Sequence, residues 1–260
     1  MLPPLSRVLD DKSVGGSAML EVSRRTFLRG SSAFGGALFL AACSGASQDG
    51  GGFEPVRVTQ TPAVVPPDVD PQYAFMYGSV DGERFPVPAV DLTKIDPVFL
   101  RREIAYPTPE PPGTIVIDPA GHYLYFIEPS GMATRYGVGV GKEGFSWSGV
   151  ATINSKQEWP DWYPPAEMIE RRPDIEPQLV DLQSGRGVPG GPRNPIGARG
   201  LYLWQGNVDT LFRIHGTTEP HTIGTSVSSG CIRMINQDAI HLYDRVPVGT
   251  QVKVLPARTV

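Results

Sequence analysis

Residues 113–140 read GTIVIDPAGHYLYFIEPSGMATRYGVGV, and this stretch determines which fold class the sequence predicts. β-Branched and aromatic residues dominate three short runs, at 114–118, 123–127 and 133–140, and the residues between the runs are typical of turns. Short strands with turns at regular spacing predict an antiparallel β-meander. The 27 prolines and 30 glycines among 260 residues exclude a helical bundle. The sequence therefore predicts a mainly β fold with short helices.

The rest of the chain fits the same class. Strand-like runs resume at 201–204 and 211–215, and residues 246–254 predict a closing strand. A helix is predicted from Asn236 to Tyr243, and a short helical turn is expected around Asp96–Arg102.

Residues 155–200 interrupt the strand pattern. Their first half places aromatic residues between prolines, followed by a predicted short helix near Pro165–Arg171. A long aromatic insertion inside a compact domain is usually a lid or a binding loop, which makes Trp162 and Tyr163 candidate substrate-binding residues. The alternative is a disordered excursion, and the glycine-rich second half of the insertion fits that alternative better.

The N-terminus predicts export. Residues 23–29, SRRTFLR, match a twin-arginine export signal. The apolar segment behind it, residues 31–42, is too short to cross a hydrocarbon core of about 30 Å, which argues against a membrane anchor. The leader ends in LAAC and resembles the bacterial lipoprotein signal, so Cys43 is a candidate for lipidation and for membrane tethering. The alternative is an ordinary cleavage site that has a cysteine beside it by chance.

Composition divides the chain into four segments. Residues 1–43 are the export signal, 44–71 read as a flexible Ser-, Gly- and Pro-rich linker, 72–111 as an extension packed on the domain, and 112–256 as the main domain. The signal holds five Lys/Arg and three Asp/Glu, which leaves 18 basic against 24 acidic residues after its removal. An acidic body argues against a nucleic-acid partner, because phosphate contacts need clustered Lys and Arg.

The chain has two cysteines, Cys43 and Cys231. Exported proteins seldom keep a cysteine thiol except for its reactivity, although a buried, inert cysteine is an alternative. His215 ends an apolar strand sixteen residues before Cys231. An imidazole close to a thiol can take its proton and create the thiolate nucleophile. Gly230 allows close backbone approach, and main-chain N–H groups at the start of a helix suit an oxyanion.

The segment RIHGTTEPHTIGTSVSSGCIRMINQD, residues 213–238, resembles the signature of the L,D-transpeptidases with a YkuD-type catalytic domain. In that signature, a histidine is followed by a Ser/Thr-x-Gly-Cys element. The meander, the NPIGARGLYL stretch and the closing VPVGTQVKVL are also similar to this family, so the resemblance covers about residues 112–256. It implies a β-sandwich-like catalytic domain with a lid-like insertion.

The resemblance also implies a chemistry with no metal and no cofactor. Cys231 is implied as the nucleophile that attacks a peptidoglycan tetrapeptide stem, releases D-alanine and forms a thioester. His215 is implied as the general base, and the Gly216 carbonyl as the group that orients its ring. Gly230 and Ser229 are expected at the oxyanion side. Arg233 is a candidate for binding a substrate carboxylate, with a structural ion pair as the equal alternative.

One residue departs from the family pattern. Many members have histidine directly before the Gly-Cys pair, whereas this chain has Ser229. Serine forms hydrogen bonds but does not buffer a proton near neutral pH, so any role for a second histidine is in doubt. His221 could substitute, but its loop predicts an exposed side chain. His122 and His241 are expected to be structural.

The resemblance implies an enzyme with peptidoglycan stems as donor, and the leader predicts a periplasmic location with a lipid tether to the membrane. The acceptor is a stem diamino acid, giving a 3-3 cross-link, a protein lysine, or water, which would give carboxypeptidase activity. A second hypothesis is a peptidoglycan-binding lipoprotein of the same fold whose site is inactive. A metal site formed by His215, His221 and Cys231 is a third, but the spacing matches no usual zinc pattern.

Overall fold

The computed structural model describes residues 60–141, 147–228 and 230–256. All of them belong to one compact unit, Pro55–Val260. The predicted export signal, Cys43 and Ser229 lie outside the described residues. Within these ranges, no helix is both long enough and apolar enough to span a bilayer.

The described chain is mainly β, as the sequence predicts. Its strands are β1 (Arg102–Ala105), β2 (Ile115–Asp118), β3 (Tyr123–Ile127), β4 (Met132–Gly137), β5 (Val140–Gly141), β6 (Gly149–Glu158), β7 (Val180–Leu182), β8 (Gly185–Gly187), β9 (Arg199–Gln205), β10 (Val208–His215), β11 (Ser226–Ser228), β12 (Ile232–Arg233) and β13 (Gln251–Val254). Its α-helices are α1 (Tyr73–Met76), α2 (Ala166–Arg171) and α3 (Asn236–Arg245). Short 3-10 helices lie at Leu92–Lys94, Pro97–Phe99, Pro129–Gly131, Pro173–Gln178 and Pro220–Thr222.

Nine strands form the main sheet, in the order β1-β4-β3-β2-β13-β6-β9-β10-β12. The predicted antiparallel meander is confirmed as β2, β3 and β4, with Ile115 opposite Phe126 and Leu124 opposite Tyr136. Two further pairs, β5 with β11 and β7 with β8, form small separate sheets.

The main sheet curves around one hydrophobic core. Leu124 and Tyr136, near one end of the strand order, belong to the same buried cluster as Ile214 and Ile232, near the other end. Neighbouring strands lie about 4.8 Å apart, so a flat sheet would keep these residues far from one another. The curvature brings two halves of the sheet face to face, as expected for a sandwich-like domain.

The last strand joins the two halves of the sheet. β13 pairs in parallel with β2 and antiparallel with β6, and its Val252 and Val254 are buried in the core. The closing strand predicted at 246–254 is therefore central to the sheet. β10 and β12 also pair in parallel, a pairing that the meander pattern did not predict.

The predicted helices form, with shifted ends. α3 begins at Asn236 and continues two residues past the expected end at Tyr243. α2 matches the helix expected near Pro165–Arg171. The turn expected around Asp96–Arg102 is a 3-10 helix that Asp96 caps by accepting a hydrogen bond from Val98 N at 2.9 Å, and Arg102 already belongs to β1.

The N-terminal extension packs on the domain through its own cluster. Tyr77, Leu92 and Leu100 are buried there together with Ile223 and Ile235 of the main domain. Residues 60–71, which composition assigned to the flexible linker, also join this cluster, through buried Ala63 and Val69. The linker therefore ends earlier than residue 71.

The insertion at 155–200 is folded. β6 runs into it, α2, β7 and β8 lie within it, and Ile175, Leu179 and Val188 form a small buried cluster there. Asn194 ties its glycine-rich half down, because Asn194 Nδ2 donates to the Pro160 carbonyl at 3.1 Å and to the Val188 carbonyl at 2.9 Å. The alternative of a disordered excursion is therefore wrong for this half.

Candidate active site

His215 is the last residue of β10, where the chain leaves the sheet. Its neighbour Ile214 pairs with Leu201 of β9 and with Ile232 of β12, and all three side chains are buried in the main core. Successive side chains of a strand point to opposite faces. His215 therefore lies on the face away from this core, where only 6% of its surface is exposed.

Cys231 directly precedes β12 and lies on the same face as His215. The parallel register pairs Ile214 with Ile232 and His215 with Arg233, so the next residues back, Arg213 and Cys231, are neighbours. Because paired residues share a face, the thiol, the imidazole and both guanidinium groups lie on one side of these two strands. The two residues that the sequence predicts as nucleophile and base are therefore brought together.

The hydrogen bonds of His215 define its tautomer. Its Nδ1 lies 2.5 Å from the Gly216 carbonyl oxygen, which can only accept, so Nδ1 carries the proton and Nε2 keeps its lone pair. Burial lowers the pKa of His215 to about 4, with a smaller lowering by the charge of Arg233, against main-chain hydrogen bonds at Gly216 and Ile196 that raise it. At neutral pH the imidazole is therefore an uncharged base.

Neighbouring groups and burial shift the pKa of the Cys231 thiol in opposite directions. Burial raises its pKa, whereas a hydrogen bond from the Arg213 main chain and the positive charges of Arg213 and Arg233 lower it. Burial has the larger effect. We therefore expect a neutral thiol beside a neutral imidazole at rest.

Two glycines allow close packing around the pair. A Cβ on Gly216 would lie 2.0 Å from Asn236 Oδ1, and a Cβ on Gly230 would lie 2.9 Å from the Phe212 ring. Gly230 also has φ +126°, which non-glycine residues rarely adopt. Asn236 holds the backbone beside Gly216, because its Oδ1 accepts from Ala198 N and its Nδ2 donates to the Thr217 carbonyl, both at 3.0 Å.

Arg233, a candidate for substrate binding, forms an ion pair. Its Nη1 lies 3.1 Å from Glu219 Oε2, and the Glu219 side chain is 52% exposed. The ion-pair alternative is therefore present in this structure. Because Glu219 is largely solvated, a substrate carboxylate could replace it at small energetic cost.

The two aromatic candidates of the insertion differ in position. Trp162 is half-buried in the insertion's own cluster, and its main chain pairs with Val188. Tyr163 is the next residue along the chain, and its side chain is 37% exposed. Tyr163 is therefore the better placed of the two to contact a substrate.

The other histidines lie apart from the candidate pair. His122 Nε2 is 3.1 Å from Ser226 Oγ, His241 Nδ1 is 2.8 Å from Tyr136 Oη, and His221 is exposed. Among the described residues, no group of three His, Cys, Asp or Glu side chains is arranged to hold a metal ion.

Sequence reasoning missed Arg213 and Asn236 as site residues. Arg213 stands two residues before His215, so the period of two along a strand could have placed it on the same face. Asn236 carries no comparable signal, because its partners Ala198 and Thr217 are 38 and 19 residues away in sequence.

Known proteins are similar to this chain in sequence. The protein named "Probable L,D-transpeptidase ErfK/SrfK" of Escherichia coli (strain K12) is 35% identical over 149 residues, which are 54% of this chain and 43% of that protein. "Probable L,D-transpeptidase YbiS" of the same strain is 36% identical over 148 residues, covering 54% and 44%. The chain thus spans less than half the length of these curated relatives.

A solved structure from Brucella melitensis is also similar. It is described as a "Probable carnitine operon oxidoreductase caia" and is 51% identical, with 63% of this chain and 98% of that chain covered and a TM-score of 0.42. The model of the YkuD L,D-transpeptidase catalytic domain matches residues 112–254, which are more than half of the 260 residues and include both His215 and Cys231. The chain belongs to the family of YkuD L,D-transpeptidase catalytic domains.

Proposed function

We propose that this protein is an L,D-transpeptidase that acts on peptidoglycan stem peptides through a thioester on Cys231. One observation supports this most. Cys231 and His215 share a face on neighbouring parallel strands, with Nδ1 of His215 bound to the Gly216 carbonyl and Nε2 left as the base. A positioned nucleophile and base are what acyl transfer requires.

In the first half-reaction, Sγ of Cys231 attacks the carbonyl carbon between the third and fourth residues of the stem, and its proton passes to Nε2 of His215. The imidazolium then protonates the departing amine, the C–N bond breaks, and D-alanine leaves a thioester behind. In the second half-reaction an acceptor amine attacks the thioester, and its proton returns through His215 to the sulfur. The Gly216 carbonyl keeps the ring oriented throughout.

The surroundings of the pair have supporting roles in this proposal. Main-chain N–H groups at Gly230 and Cys231, with Ser229 beside them, stabilise the oxyanion. Arg233 exchanges Glu219 for a carboxylate of the acidic stem. Tyr163, and Trp162 behind it, form the side of the donor site that the insertion contributes.

The wider context is also a proposal. The acceptor is a stem diamino acid in a 3-3 cross-link, a protein lysine or water. The protein acts in the periplasm, tethered through a lipid on Cys43. The name of the Brucella protein describes an oxidoreductase, and that description applies to the Brucella protein alone. For this chain, the family match over residues 112–254 favours acyl transfer.

The test uses purified protein, muropeptides and mass spectrometry. Wild type should release D-alanine from tetrapeptide stems, and Cys231→Ala should abolish the release while its circular dichroism stays unchanged. A carbapenem should add its mass to wild type and not to Cys231→Ala. Without release or adduct from folded wild type, the alternative of an inactive peptidoglycan-binding lipoprotein replaces the proposal. Unchanged release by Cys231→Ala would assign the chemistry to another residue.

A further inference from the structure

The hairpin between β9 and β10 has an irregularity close to the candidate site. The pairing register shifts between Asp209 and Arg213, and Leu211 within the shift has φ +62°. In a regular strand, residues four apart are about 13 Å from each other and their side chains do not meet. Here Arg213 Nη1 and Nη2 donate to the two oxygens of Asp209 at 2.7 and 2.8 Å. The bulge therefore creates this bidentate ion pair.

The same arginine is fixed from a second side. Its guanidinium carbon lies 4.5 Å from the centre of the Tyr202 ring, and its side chain is 17% exposed. Tyr202 pairs with Arg213 in the sheet and its hydroxyl donates to Gln157 Oε1 at 2.9 Å. A guanidinium held by a carboxylate fork and an aromatic face has little freedom to move away from the neighbouring strand.

The neighbouring strand brings Cys231. Continuing the parallel register one residue back from Ile214 and Ile232 makes Arg213 and Cys231 neighbours, two residues before His215 and Arg233. We propose that Arg213 is a positioning residue that stabilises the Cys231 thiolate, with its main-chain N–H donating to the sulfur and its guanidinium supplying positive charge on the same face. This inference rests on the proposed role of Cys231 as nucleophile.

Proton transfer from Cys231 to His215 is costly in this buried site. Burial disfavours both the imidazolium of His215 and the thiolate of Cys231, so a transferred proton would leave two poorly solvated charges. The two guanidinium groups beside the sulfur offset the cost of the thiolate, whereas the charge of Arg233 also disfavours the imidazolium.

In the described part of the chain, two arginines and the carboxylates that pair with them are the charged groups around Cys231. Arg213 and Arg233 are the cations, and His215 is neutral. Asp209 and Glu219 are the carboxylates behind these arginines, and they are 32% and 52% exposed. Their charges are therefore better screened by water than the charges nearer the sulfur.

The experiment measures thiolate formation without any substrate. Iodoacetamide alkylates the thiolate, because the sulfur displaces iodide from carbon, so its rate against pH reports the titration of Cys231. Peptide mass spectrometry follows the Cys231 peptide in the full chain and separates it from Cys43. Arg213→Met should shift the profile to higher pH and slow alkylation at pH 8 by about three- to tenfold.

Companion variants separate charge from structure. Arg213→Lys, which keeps the charge, should recover part of the rate. Arg213→Gln, whose amide can still bond Asp209, provides the measurement if the Met variant fails to fold. Arg186→Met is the control, because Arg186 pairs with Glu176 at 3.8 Å within the insertion, and it should leave the profile unchanged.

A folded Met or Gln variant with the wild-type profile would overturn the proposal and leave Arg213 as a structural ion pair. The same holds if Arg186→Met shifts the profile equally. Alkylation requires no transpeptidation, so the two proposals can fail separately. If the protein turns over no stem peptide but Arg213→Met still slows alkylation, the proposed function is wrong and the role of Arg213 stands.

Discussion

Asn236 connects the chain on both sides of His215, and removing its amide should loosen the candidate site. Its Oδ1 accepts from Ala198 N and its Nδ2 donates to the Thr217 carbonyl, both at 3.0 Å. Ala198 directly precedes β9, and Thr217 follows the end of β10 by two residues. In Asn236→Ala both hydrogen bonds are lost, and the first residue of α3 no longer holds these two strand ends together.

The expected cost follows from those two bonds. Each contributes about 1 kcal/mol net, so the substitution should destabilise the fold by about 2 kcal/mol. If water does not reach the two backbone groups left without a partner, the loss of stability should rise to about 4 kcal/mol. For a domain of this size, about 2 kcal/mol corresponds to a fall in the melting temperature of roughly 4–8 °C.

Urea unfolding followed by tryptophan fluorescence measures this directly. Asn154→Ala is the matched control, because Asn154 is an exposed residue of β6, and it should change stability by less than about 0.5 kcal/mol. If Asn236→Ala and Asn154→Ala unfold at the same urea concentration, the reasoning about this connection is wrong.

A double-mutant cycle gives a stricter test. A Cβ on Gly216 would lie 2.0 Å from Asn236 Oδ1, so Gly216→Ala alone should be strongly destabilising. In the double variant with Asn236→Ala, that clash is gone. The double variant should therefore lose less stability than the two single variants together, and strict additivity would contradict the packing described.

Three further outcomes are expected. Burial lowers the pKa of His215 from 6.5 to about 4, so its contribution to stability is complete above pH 6.5 and is lost as pH falls to 4. Between pH 7 and pH 4, the free energy of unfolding measured in urea should therefore fall by about 3 kcal/mol less in His215→Gln than in wild type. An equal fall in the two proteins would refute the pKa shift. Arg101→Met leaves the fully buried Asp238 without its guanidinium partner at 3.4 Å and should lower the free energy of unfolding by about 3 kcal/mol. Adding Asp238→Asn should recover much of this loss, because no buried charge is then left unpaired. Thermal melts of the single and double variants measure both effects. Trp159→Ala, at a residue 4% exposed, should cost about 3–5 kcal/mol, whereas Tyr163→Ala should leave stability within about 0.5 kcal/mol and raise KM for donor stems. If Tyr163→Ala costs as much stability as Trp159→Ala and leaves KM unchanged, Tyr163 is a structural residue and its proposed contact with substrate is wrong.

Local patterns predicted the parts of the fold that local forces determine. The meander followed from β-branched and aromatic runs between turn residues, and the helix predicted to start at Asn236 begins at that residue as α3. The proximity of Cys231 and His215 came from the resemblance of a motif. Its physical basis, the parallel pairing of β10 and β12, joins segments that nothing in their own composition relates.

The missed features depend on a local irregularity of one strand and on contacts between distant residues. The Asp209–Arg213 pair needs a bulge, which the strand pattern around it does not encode. Ala63 and Val69 lie in a proline-rich stretch that has the composition of a linker, and they are buried because the extension supplies Tyr77 and Leu92 beside them. The insertion likewise has a core of its own, formed by residues too few and too scattered to give a period.

The first part of the extension packs against α3, the helix that follows Cys231, and this contact affects the choice of fragment for expression. Gln237 Nε2 donates to carbonyls of the extension, at 2.9 Å to Gly78 and 3.0 Å to Pro88, and Asp238 Oδ2 accepts from the Tyr77 hydroxyl at 3.0 Å. A recombinant fragment that starts at residue 112, where the family match begins, would remove these partners from the first turn of α3. The smallest piece worth expressing therefore starts near residue 60, well upstream of the recognisable domain.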